Sequence, residues 1–489
     1  CVALAKLELP ASLNDFSAAS FNGCTALAGI TVAAGNKAYK AVGETIYTAD
    51  GKTLVMVTSK NSTLIMIADG TEVIAEGAFD VAANVTTIMF PETLISVKAR
   101  ALDVTNWYAT QNGIVYIGSL VYGAKGAVTD AIITEGAKAI SDDAFKGVKL
   151  NSVTLPQSLV RIGNGAFADT AIKAVVIPDS VTYIGIGAFE NCKALADVKL
   201  SAKLETLETG AFKGCAALAK ITVPAGVKAI SADVFADCEK LAAVELTAVE
   251  EIEEYAFSGC KALKTITLPA TVKECSPLAF LGCKALEAIA VAEGNKVYKS
   301  VDGVVAVANE EGEFNTIAIY PAGKAGEYAV PAEFKNIADK AFYDCDSLEQ
   351  ADLRLGLETL GSLAFAYCEK LKAASIPATV SGISGNPFAG CVGVESFTMD
   401  KGNPEFIEVD GVVYDKTMYT VVYYPTSLTA ESYQFPATVQ EIAPGAFAGA
   451  KIKNIEIPTR ITAIPADAFS GSALEAIAFH TGITTIGDH

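Results

Sequence analysis

Apolar positions along this chain recur on a beat of 22 or 23 residues, and each beat has two phases. In residues 260–269, "CKALKTITLP", Ile266 and Leu268 alternate with Thr265 and Thr267. That two-residue period predicts a strand with one buried face. Pro269 ends it, because proline has no N–H to give to a ladder. The second phase reads Val-x-x-Ile-x-x-x-Ala-Phe, as in Val181, Ile184, Ala188 and Phe189. It predicts a short extended segment followed by one helical turn that drops its Phe into a core. One such unit cannot bury its own apolar face, but a stack of them makes a continuous core.

The repeat Phe occurs fourteen times from Phe21 to Phe469, and four spacings are long, at 58, 66, 62 and 59 residues. The fold class is therefore a repeat solenoid of the leucine-rich, α/β horseshoe-like kind, rich in β-structure. Each rung is expected to hold one parallel-sheet strand, a second short extended segment and a short helical turn. Domain organisation is expected to be one solenoid over 1–489. Cys1-x-x-Leu4-x-x-Leu7-x-Leu9-Pro10 overlays Cys260 to Pro269, and Ile483-x-x-Ile486 stops where the next Ala-Phe is due. Both ends thus read as cut through a repeat.

Nine of the 11 cysteines lie three residues after the repeat Phe, where other units hold Ala, Val, Thr or Ser. That slot asks for a small buried side chain, which a free Cys supplies. Stacked Cβ atoms about 4.8 Å apart and pointing the same way miss disulfide geometry. With no C-x-x-C pair beside a second ligand pair, zinc has no support.

The long spacings carry insertions, about 33–66, 103–131, 292–328 and 400–432. "FIEVDGVVYDKTMYTVVYYP" at 406–425 is typical: short β-rich runs separated by Asp-Gly or similar turns, which is hairpin chemistry. Thirteen of the 17 tyrosines and the one Trp lie in or beside them. These aromatics are expected either to pad the hairpins or to serve as binding anchors, a role Tyr and Trp often fill. The candidate partner-binding residues are Trp107, Tyr108, Tyr298, Tyr320, Tyr414, Tyr419, Tyr423 and Tyr424. The strand positions that the pattern turns outward, such as Thr265 with Thr267 and Ala288 with Ala290, are small, which turns attention to the insertions.

Net charge is −19 with only four Arg, a balance that repels phosphate backbones. Nucleic acid and anionic membrane are poor partners for such a chain. No uninterrupted run of 18 apolar residues is present to insert in a bilayer. The two histidines, His480 and His489, have no triad or ligand partner at a meaningful spacing, and no hydrolase, phosphate-loop or calcium-loop motif occurs. "EEIEEYAF" at 250–257 holds four Glu, a number sufficient for carboxylate-pair chemistry, but they flank the Ile slot at variable positions and read as a solvated face. No catalytic, cofactor-binding or metal-binding residues are assigned, and no cofactor is expected.

The pattern IGxxAFxxCxxLxxIxLPxxVxxI, written out across 184–200 and 252–272, resembles the bacterial leucine-rich-repeat surface proteins of the BspA type, and "VDGVVYDKTMYTVVYYP" is similar to that family's interruptions. The resemblance spans essentially the whole chain. It implies an extracellular or cell-surface protein of a host-associated bacterium, and adhesion to a host matrix or bacterial surface protein or glycan. It carries over no catalytic residues. A passive spacer or stalk, and a solenoid carbohydrate-active enzyme, are the alternative readings, since fold alone does not fix function.

Overall fold

The computed structural model describes every residue except Asn22, Thr25, Ala28 and His489, so the expectation for His489 falls outside the described residues. The chain forms two compact units, Cys1–Leu218 and Ala219–His489. Each is a β-solenoid of stacked coils with almost no helix.

The first phase of the repeat forms short parallel ladders of two to four strands. Thr265–Leu268 pairs with Ala288–Val291 in register, Ile266 opposite Ile289 and Leu268 opposite Val291. Burial alternates along the strand as the sequence pattern requires, with Ile266 and Leu268 inside and Thr265 and Thr267 outside. The second phase forms another ladder of two-residue strands: Arg161–Ile162, Tyr183–Ile184 and Thr206–Leu207 stack in parallel with their Ile and Leu buried.

The Ala-Phe turn is not helical, contrary to the sequence-based expectation. The reason lies in two left-handed residues that flank it. In the rung of Phe235 they are Asp233 (φ 58°) and Asp237 (φ 57°), a conformation that breaks an α-helix wherever it occurs. The turn instead bonds to its neighbour: Phe167 N–H donates to Ala188 O (2.7 Å) and Phe189 N–H to Ala211 O (2.8 Å). Two exceptions are the 3₁₀ turns Ala18–Phe21 and Pro277–Phe280, the second with its Leu278 N–H capped by the Ser276 hydroxyl.

Inside, the Phe side chains form a stacked column. Phe145, Phe167, Phe189 and Phe212 lie 5.2–5.3 Å apart with rings within 13° of parallel. The cysteine column runs beside it, all thiols free. Its slot does more than fit a small side chain: Cys192 Sγ–H donates to Phe167 O of the preceding rung (3.1 Å), and Cys368 to Phe342 O and Cys391 to Phe365 O, each at 3.0 Å. Burial pushes the Cys192 thiol up to about 11.

The long spacings are not loops on the outside of the stack. In the third insertion Tyr298–Val301, Val304–Val307 and Thr316–Ile319 form an antiparallel meander, and its last strand pairs in parallel with Asn336–Ile337 of the second ladder. The first and fourth insertions repeat this arrangement. The second is a hairpin of Gly113–Ile117 and Leu120–Lys125 preceded by the α-helix Asn106–Ala109. The 66-residue spacing also hides one regular rung, in which Leu102 takes the Phe position, fully buried, with Ala101 before it.

Candidate functional site

The insertion aromatics divide sharply by position. Tyr298, Tyr320, Tyr414, Tyr423 and Tyr424 are all buried. Tyr320 and Tyr424 stand in for the repeat Phe. Tyr320 N–H donates to Ala341 O (2.7 Å) and its ring stacks on Phe342 at 4.6 Å; Tyr424 does the same with Ala446 O (2.8 Å) and Phe447 (5.4 Å). The Tyr298 hydroxyl accepts from Cys275 N–H (3.1 Å), satisfying a donor where the ladder is interrupted. Tyr414 and Tyr433 share a hydroxyl–hydroxyl bond of 2.7 Å, and Tyr423 packs against Phe388 and Phe397. These five meet no partner unless the unit unpacks. Three reach the surface. Trp107 is half-buried against Phe90 (5.5 Å), and Tyr108 against Tyr122 (5.5 Å) with Lys125 Nζ over its ring. Tyr419 is 40% exposed beside a hollow lined by Gln440, Glu441 and Arg460.

The insertions do something the sequence pattern does not announce. Their rungs pass straight from strand to strand and omit the Ala-Phe turn. The turns on either side therefore meet directly. Lys284 Nζ reaches Asp346 (2.8 Å), and Asn386 Nδ2 donates to Gly445 O (2.8 Å); within the first unit Lys98 reaches Asp142 (2.8 Å). A rung that is short on one side is a wedge, so the second unit curves toward its turn face at both insertions.

On that concave face the second unit gathers Tyr255, Tyr343 and Tyr367 around one hollow of about 200 Å³, with Lys340, Leu363 and Asp467. These are three of the four tyrosines that lie outside the insertions. The fourth, Tyr183 of the first unit, is covered by the Arg161 guanidinium at 3.6 Å. Tyr343 and Tyr367 meet edge to face at 5.2 Å, and Tyr367 keeps 41% of its surface. Partial burial, then the neighbouring Tyr367 and Tyr255, push the Tyr343 hydroxyl up to about 12.

The backbone marks the same place. Among the described residues fifteen other than Gly have positive φ, and nine of them are Asp or Asn, the types that tolerate it. Of the remaining six, four line this hollow: Tyr255 (62°), Lys340 (59°), Leu363 (55°) and Tyr367 (60°). Equivalent turns elsewhere mostly use Gly, Asp or Asn, as at Gly187, Asp233 and Asn191, with Arg100 (58°) the exception in the first unit. Each large side chain held there costs about 1–2 kcal/mol, and such strain collects where a site requires it. The signal was present in the sequence as Tyr, Lys and Leu in slots given mostly to Gly, Asp and Asn, but nothing there showed that the slots converge.

Glu251, Glu253, Glu254 and Glu274 of adjacent rungs line a separate hollow. Among the described residues no group of His, Cys, Asp and Glu is arranged to hold a metal ion. Of the 250–254 acidic string, Glu250 bonds Lys273 (2.6 Å), which holds its carboxyl below the usual range, and Glu253 accepts from Ala232 N–H (2.8 Å). His480 bonds Ile461 O through Nε2 (2.9 Å) and accepts Gly482 N–H at Nδ1 (3.0 Å), so both ring nitrogens are used within the backbone.

A leucine-rich cell surface protein from Faecalibacterium prausnitzii is 20% identical, with 92% of this chain and 94% of that one aligned at a TM-score of 0.42. A leucine-rich repeat protein from Bacteroides ovatus is 20% identical over 92% and 90% of the two chains, at 0.41. The pneumococcal vaccine antigen PcpA is 17% identical over 91% and 99%, at 0.31. No curated protein matches the chain. The BspA type leucine rich repeat region matches in six copies over residues 56–112, 115–242, 230–300, 324–409 and 416–489. With that repeat running through nearly every rung described above, the chain belongs to the family of BspA-type leucine-rich-repeat proteins.

Proposed function

We propose that this is a non-enzymatic binding protein displayed at the surface of a host-associated bacterium, where it adheres to a protein or glycan through side chains carried on a repeat scaffold. One observation carries the reading: three tyrosines outside the insertions collect on one concave, solvent-open face, two of them, Tyr255 and Tyr367, at left-handed backbone positions the fold fills elsewhere mostly with Gly, Asp or Asn. A passive stalk has no need of strained aromatics on its surface. The description of a related structure as a cell surface protein supports the location. Trp107, Tyr108 and Tyr419 supply further contacts from the insertions, and the five buried tyrosines hold those insertions in place.

The test is binding of the full chain to immobilised host matrix proteins and to fixed bacterial cells, compared with a variant in which Tyr343, Tyr367, Trp107 and Tyr419 are all replaced by Ala. Saturable binding by the parent that the variant loses, at unchanged melting temperature, supports the reading. Parent and variant that are equally inert on every surface leave the stalk reading in its place.

A further inference from the structure

We propose that the hollow between Tyr255, Tyr343 and Tyr367 is a subsite for one neutral glycosyl ring of a surface glycan. This rests on the binding reading above and names its ligand class.

Size is the first argument. At about 200 Å³ the hollow is smaller than a drug-sized pocket, and its aromatics surround one space rather than line a track. An extended polyproline peptide instead needs a run of aromatic grooves matched to its three-residue turn. One pyranose ring is the scale that fits.

Charge is the second. Lys340 and Asp467 both line the hollow, one of each sign. An anion meets the Asp467 carboxylate and a cation meets the Lys340 ammonium, so a neutral ligand is favoured. Neither residue has an ion pair or side-chain hydrogen bond elsewhere among the described residues, and neither do the hydroxyls of Tyr255, Tyr343 and Tyr367. The site thus holds free donors in Lys340 and the tyrosines, and a free acceptor in Asp467.

Surface character is the third. Tyrosine combines an apolar ring with a polar tip, and Leu278 and Leu363 add apolar wall. A sugar has the matching division, C–H bonds on its faces and hydroxyls around its edge. The ring faces take the C–H side while Lys340, Asp467 and Ser470 meet the hydroxyl edge.

Pre-organisation is the fourth. Tyr255, Lys340, Leu363 and Tyr367 project from backbone fixed in the left-handed region by the ladders on either side, so little freedom is lost when a ligand arrives. The fold tolerates Gly at these slots, and the groove requires side chains.

The experiment uses the full chain with methyl glycosides of glucose, galactose, mannose and N-acetylglucosamine. Saturation-transfer NMR identifies which is bound and calorimetry gives its affinity. The expected result is transfer to ring C–H protons of at least one glycoside at millimolar concentration. Tyr343→Ala and Tyr367→Ala should each weaken it about tenfold, while Phe479→Ala, at an exposed aromatic outside the hollow, leaves it unchanged. A decaproline peptide serves as the competing probe. No transfer to any glycoside, affinity that survives both substitutions, or tight binding of decaproline in place of sugar overturns the proposal. Matrix or cell binding that persists in the Tyr343→Ala, Tyr367→Ala double variant sinks the glycan subsite and leaves the broader binding reading standing.

Discussion

The side-chain amide of Asn386 donates to the carbonyl of Gly445 at 2.8 Å, across fifty-nine residues of chain. In an uninterrupted stack those two turns would be separated by a third. They touch because the fourth insertion contributes strands to the second ladder but no Ala-Phe turn, and Tyr423 against Phe388 with Tyr424 against Phe447 carries the Phe column through the gap. The insertion therefore sets curvature, and curvature assembles the tyrosine hollow from rungs far apart in sequence.

Replacing the fourth insertion by an ordinary rung with its own Ala-Phe turn should push the flanking turns apart by about one rung, 4.8 Å. Spin labels at Val392 and Lys451, which occupy equivalent positions in the rungs of Phe388 and Phe447, would read the change by dipolar spectroscopy. An unchanged distance would show that the bend has another source.

Strain at the hollow makes an opposite pair of effects. Lys340→Gly removes a left-handed lysine, and should raise stability by about 0.5–1 kcal/mol once the added freedom of the unfolded chain is deducted. The same change removes a donor from the hollow. A higher denaturation midpoint with weaker glycoside binding is the expected combination, a common exchange at functional sites. A loss of stability would mean that the lysine stem packs better than its backbone suffers.

How much of this was legible beforehand depends on whether a feature is local. Strand phases, the buried Phe and the free cysteines follow from one rung's pattern, and Ile266, Phe189 and Cys192 sit where that pattern puts them. The helical turn was misread because Asp233 and Asp237 look ordinary in sequence, while their positive φ is set by bonds to the next rung. Tyr320 and Tyr424 read as free aromatics because their insertions break the beat, and only strand pairing shows them to be column residues. The hollow was invisible because Tyr255 and Asp467 meet through a bend, which no period encodes.

The thiol column should respond to alkali. Burial raises Cys192 from an ordinary value near 9 to about 11. A group held neutral in this way stabilises the fold fully below its unfolded value, and that contribution is lost as pH rises toward the folded one. Melting temperature should be flat up to about pH 8 and fall between about 9 and 11. Native protein should alkylate slowly at the buried positions and quickly once unfolded. Rapid labelling of more than two or three native thiols would contradict the closed column.

A Gly-Asn pair opens three of the four insertions, at Asn36, Asn295 and Asn403, and the structure gives it a job. Asn403 is buried; its Nδ2 donates to Pro377 O (3.2 Å) and Val380 O (2.8 Å), and its Oδ1 accepts from Glu405 and Phe406 N–H (2.9 Å each). Asn36 and Asn295 make the same four bonds. The amide thus clamps the proline turn of one rung to the first strand of the meander that follows. Only a side chain with both donor and acceptor on one short stem can do this. Asn403→Ala leaves four backbone groups unsatisfied and should cost about 2–4 kcal/mol. Asn403→Asp keeps the acceptor but sets a carboxylate against two carbonyls, so it should be no better than Ala above its pKa and recover in part as pH falls and the acid gains a proton to donate. Chemical denaturation of both variants at pH 4 and pH 7 checks this. Equal midpoints for Asp and Asn at pH 7 would show that the donor half of the clamp contributes nothing.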